Sequence, residues 1–89
     1  MKLVLVEWLD AYGGGNEGWH SLETALKTKP SYGRTAGYML HEGIEHGIEY
    51  ILVSPHLMLD TEGVLVVDSE LAIPKVWIKE IKVLGSVSI

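Results

Sequence analysis

The segment that most constrains this chain is Leu71-Ala72-Ile73-Pro74-Lys75-Val76-Trp77-Ile78-Lys79-Glu80-Ile81. Pro74 has a fixed φ and no backbone N–H, so it ends the apolar run before it and opens a turn. The turn has room for a single 3-10 loop, which plants Trp77 immediately before another apolar run. A tryptophan delivered between two strands anchors a small β-domain. Trp77, Ile78 and Ile81 are the expected anchors of the last strand, residues 76–84.

With 89 residues, the chain is read as one domain, residues 1–89. Folding a chain of this size buries roughly 60–65% of its surface. Hydrophobic residues make up 47% of the chain, which excludes a disordered chain. Cysteine is absent, so disulfides and thiolate metal sites are excluded. Seven basic residues face twelve acidic ones, for a net charge of −5. That balance repels phosphate backbones and argues against DNA as a partner. Glu7 and Asp10 interrupt the opening apolar run too early for a signal peptide or a membrane span, so a cytoplasmic chain without a membrane partner is expected.

Residues 3–9 alternate as a strand, with Val4, Val6 and Trp8 on one face and Leu3, Leu5, Glu7 and Leu9 on the other. Both faces are largely apolar, which predicts a central or covered position. Gly13-Gly14-Gly15 makes residues 10–20 a long loop between aromatic residues. Residues 21–28 suit two turns of helix, capped by Ser21 and ended by Pro30. A helix so short needs docking, so Leu22, Ala25 and Leu26 are expected to cover an open end of the sheet. Strands are expected at 34–42, 48–54 and 64–67, with a solvated hairpin loop at residues 41–47 and a connection at 55–63. The expected fold is mainly β, a small five-stranded barrel with one short helix after strand 1 and a 3-10 turn before the last strand. Closure removes exposed edges, which favours the barrel over the alternative, an open α+β sheet.

Ile73-Pro74-x-x-Trp77-Ile78-x-x-Ile81 resembles the closing segment of SH3-like barrels, where a 3-10 turn carries a proline and an aromatic before the final strand. The resemblance implies an SH3-like barrel. The chain also resembles a group of small bacteriophage-encoded proteins. The matching residues are Val6-x-Trp8-x-Asp10-Ala11, Gly18-Trp19-x-x-Leu22-Glu23-x-Ala25, Gly37-Tyr38-x-Leu40-x-Glu42 and the same C-terminal segment. That resemblance implies an accessory phage protein acting in the host cytoplasm, and it supplies no activity. The loop Gly13-Gly14-Gly15-Asn16 departs from the group by its length.

His41-Glu42-x-x-x-His46 is one residue too long for the helical zinc motif, and glycines break it, so a polar turn is the favoured reading. Gly13–Gly18 lacks the Lys and Ser/Thr of a phosphate loop and reads as a connection. Asp10 and Glu42 could form a carboxylate pair, but no nucleophile stands beside them. No catalytic residue, metal ligand or cofactor is assigned. Trp8, Tyr38 and Trp77 are read as core. The residues assigned to ligand or partner binding are Tyr12, Trp19, His20, Tyr32 and Arg34. The aromatics can stack and Arg34, the only arginine, can pair with an anion. The expected function is a non-enzymatic binding protein that occupies a host protein or sequesters a small anionic ligand, with a homo-oligomer as a further possibility. Two alternatives stay open: a nucleotide-sequestering protein and a single-stranded nucleic-acid module.

Overall fold

The computed structural model describes residues 1–10 and 18–88. Among these residues, alternating and β-branched apolar runs form seven strands: β1 (Lys2–Asp10), β2 (Ser31–Glu45), β3 (Ile48–Ser54), β4 (His56–Leu59), β5 (Leu65–Asp68), β6 (Leu71–Pro74) and β7 (Ile78–Ser86). A four-residue helix, α1 (Leu22–Ala25), follows β1, and a 3-10 turn, Lys75–Trp77, joins β6 to β7. Five strands form one sheet in the order β6-β3-β2-β1-β7, and β4 and β5 form a separate two-stranded ribbon. All pairs are antiparallel. The β2–β3 reversal is tight because His46 and Gly47 both adopt positive φ.

The five-stranded sheet is open, which overturns the barrel expected from the sequence. Its edge strands, β6 and β7, share no ladder. The 3-10 turn carries the chain from one edge to the other within three residues, so the edges meet at a corner only. β6 is too short to close the gap, with four residues ending at Pro74, which lacks a ladder donor. Trp77 consequently stands 44% exposed at the open end instead of sealing a barrel interior.

The core lies on one face of the curled sheet. Val4 and Val6 from β1, Ile51 and Val53 from β3, and Ile73 from β6 are fully buried, and Trp8, Met39 and Ile78 pack against them. Strand β2 runs between β1 and β3, and small residues on its inner face make room. Gly33 lies opposite Trp8, Thr35 opposite Val6 and Gly37 opposite Val4. The Trp8 indole lies against Gly33, where a Cβ would come within 2.9 Å of Cε2, and its Nε1 donates to Thr35 Oγ1 at 3.0 Å. At Gly37 a Cβ would overlap the Ser54 carbonyl, so only glycine permits that close approach.

The short helix follows β1 as expected, but it does not dock on the sheet. Ser21 caps it as expected, accepting from the Thr24 N–H at 3.2 Å. Its residues are nevertheless all exposed, so its apolar stripe covers no open end of the sheet. The 55–63 connection contains β4, and the 64–67 run pairs with β4 rather than joining the main sheet. The strand that pairs with β3 on its outer side is β6.

Candidate functional site

The antiparallel register of β1 and β2 sets Glu7 opposite Arg34 and Leu9 opposite Tyr32, on the face away from the core. On the other side of β1, β7 sets Glu80 opposite Glu7 and Lys82 opposite Leu5. A bulge between Glu7 and Trp8 takes Lys79 out of register. Its Nζ lies 5.4 Å from the Tyr32 ring centroid, a cation–π contact.

Glu7 is the centre of this cluster. Tyr32 donates its hydroxyl to Glu7 Oε2 at 2.7 Å, and Arg34 Nε lies 3.2 Å from Oε1. The Glu7 side chain is 14% exposed while that of Arg34 is 67% exposed. The carboxylate is therefore enclosed and the guanidinium reaches outward. The Tyr32 hydroxyl bond holds the Glu7 carboxyl below its ordinary pKa, with Arg34, Lys82 and Lys79 adding to the effect against a desolvation cost. The same bond pushes the Tyr32 phenol above its ordinary value, helped by desolvation and the Glu7 charge. Both groups thus move away from neutrality. Glu7 is a fixed carboxylate and Tyr32 a fixed phenol, so neither is tuned for proton transfer near neutral pH.

Of the residues singled out in the sequence, Tyr32 and Arg34 are brought together. Tyr12 lies outside the described residues, as does most of the glycine loop. Trp19 is fully exposed on the segment before α1. His20 is exposed as well, its Nδ1 3.1 Å from the Gly18 carbonyl oxygen. Neither of them joins the Glu7 cluster. His41 stacks edge-on against Tyr50 with centroids 6.1 Å apart, and His46 lies 3.6 Å from Glu45. Among the described residues, no three His, Cys, Asp or Glu side chains gather as a metal site would require. Glu42 pairs with Lys75 on the 3-10 turn at 3.5 Å.

The sequence reading missed Glu7, Lys79 and Lys82. Glu7 alone gives a signal, as the only charge between the two ends of the β1 run. Lys79 and Lys82 reach the cluster through the β1–β7 register and its bulge, which spacing along the chain does not reveal.

The fold defines a mainly-β protein built on an open five-stranded sheet with a protruding ribbon. Comparison with family models, curated proteins and solved structures finds no match. The resemblance to bacteriophage-encoded proteins therefore has no support, and the SH3-like resemblance fails on the open sheet as well. Among the described residues, no helix is long and apolar enough to cross a membrane.

Proposed function

We propose that this chain is a non-enzymatic binding protein that receives an anionic group of its partner at Arg34, Lys79 and Lys82. The observation that carries the reading is the Glu7–Tyr32–Arg34 arrangement, in which an enclosed carboxylate holds an outward-facing guanidinium. Pre-positioning lowers the ordering cost of binding, and a guanidinium suits a planar carboxylate or a phosphate. Three cations against Glu7 and Glu80 make this face locally positive within a chain of net charge −5. The shifts of Glu7 and Tyr32 away from neutrality support binding over catalysis.

The reading is tested by heteronuclear NMR titration with two probes, pyrophosphate and a short polyglutamate peptide. Saturable shifts at the Arg34 side-chain N–H and at the Lys79 and Lys82 amides are expected. Arg34→Gln should weaken binding about tenfold, or ~1.4 kcal/mol. The probe that binds tighter distinguishes a small anion from an acidic protein segment. Shifts spread equally over Lys2, Lys27 and Lys29, or absent at millimolar probe, would overturn the reading.

A further inference from the structure

At the open end of the sheet, the end of β1 meets β6 and the 3-10 turn around a cavity of about 200 Å³. Trp8 and Asp10 of β1, the β6 residues Leu71–Pro74 and Trp77 of the turn line it. Clefts that enclose drug-sized molecules measure roughly 300–1,000 Å³, so this space suits one small group. The Trp8 indole is fixed against Gly33, and its Nε1 donates to Thr35 Oγ1 at 3.0 Å. Trp77 is only half-buried. Among the described lining residues, Asp10 is the only one with a titratable side chain. Asp10 and Trp77 also border a second cavity of about 300 Å³, completed by Leu9 and Pro30. The carboxylate and the indole thus serve both spaces.

We propose that this cavity binds an alkylated ammonium group, as carried by a small trimethylammonium compound. Indole is the best of the aromatic side chains at attracting a cation, through the negative face of its ring. Two of the three tryptophans of the chain line this one space. An anionic ligand would meet the Asp10 carboxylate at short range, and no lysine, arginine or histidine is among the described lining residues. A primary ammonium carries three N–H donors that each need an acceptor, and indole and aliphatic carbon supply few. A quaternary ammonium has no N–H, and its methyl groups present the charge behind an apolar surface that such walls accept. The net charge of −5 also favours the approach of a cation. No residue of the Glu7 cluster lines either cavity, so this reading and the anion-binding reading can fail separately.

The test is titration of the full, isotope-labelled chain with choline, followed by NMR at the three indole N–H signals. Those of Trp8 and Trp77 should shift together and saturate, while that of Trp19, which is fully exposed, should stay in place. Dimethylbutanol, the neutral carbon isostere of choline, should bind at least about tenfold more weakly. Trp77→Leu should weaken choline binding about tenfold and Asp10→Asn about fivefold, with far-UV circular dichroism reporting an intact sheet. Should either variant lose its fold, the comparison of choline with its isostere on the unaltered chain still decides. Phosphatidylcholine vesicles form a second arm. Sedimentation with them that free choline reverses assigns the group to a lipid headgroup, and choline binding without sedimentation assigns it to a free molecule. Equal binding of the isostere would show an apolar crevice only and would overturn the proposal. So would the absence of a saturable shift, a response that Trp19 shares equally, or choline binding that survives both folded substitutions unchanged.

Discussion

Glu7 occupies the middle of a central strand and keeps both carboxylate oxygens engaged, one by Tyr32 and one by Arg34. Its lowered native pKa carries a signed consequence for stability. The unfolded chain takes up this proton at higher pH than the folded one. The Glu7 contribution is therefore complete above the ordinary glutamate value and is lost as pH falls through the lowered native value. Tyr32 has the opposite sign. Its raised pKa contributes stability below the ordinary tyrosine value, and that stability disappears as pH rises through the native one. Urea unfolding from acid to alkaline pH should show both limbs. Tyr32→Phe should remove the alkaline limb and move the Glu7 titration, followed by carboxyl NMR, back toward its ordinary value. An unmoved Glu7 would show that the hydroxyl bond is not its main perturbation.

Ser54 is the clasp between the main sheet and the ribbon. Its buried hydroxyl donates to the His56 carbonyl at 2.7 Å, lies 3.0 Å from the Asp68 carbonyl, and accepts from the His56 N–H at 3.3 Å. One side chain at the end of β3 thus touches the bases of both ribbon strands. Ser54→Ala leaves these groups without their partner and should cost about 1–3 kcal/mol. Amide exchange should accelerate first in β4 and β5, while exchange in β1 and β3 tracks only the global loss. The elements differ in how far the sequence revealed them. The expected bounds of β3 match the structure because Gly47 and Pro55 bracket an apolar run. The order of strand, proline turn and strand around Trp77 is legible too, although the last strand runs over Ile78–Ser86 rather than 76–84 and Trp77 is not buried. β4 was hidden because Pro55 and the Asp60–Gly63 turn signals leave only four residues between them. Without β4, the 64–67 run has no local partner and reads as one more strand of the main sheet. Closure depends on whether two edge strands pair, and hydrophobic alternation contains nothing about that. Trp19 and His20 looked like site residues for their chemistry, yet nothing in the sequence placed them near Arg34.

Among the described residues, the fully buried hydrophobic core consists of five aliphatic residues. A chain of this length has a total stability of roughly 5–13 kcal/mol. Ile51→Ala, at the centre of β3 and opposite Ile73, should cost about 2–5 kcal/mol. That is a large share of the total, so the denaturant midpoint should fall steeply, and the substitution should unfold a substantial fraction of molecules near physiological temperature. A loss below about 1 kcal/mol would mean that the five residues are not the principal core. Another consequence concerns the order of assembly. Lys2 pairs with Ser86, and the Met1 amine and carbonyl bond Val87 at 3.0 and 2.8 Å. A ladder joining residues so distant in sequence closes its largest loop before gaining any contact, a slow event. The hairpin of β2 and β3 zips locally, whereas β7 docks on β1 late, so the kinetic barrier is set where the first and final strands find each other.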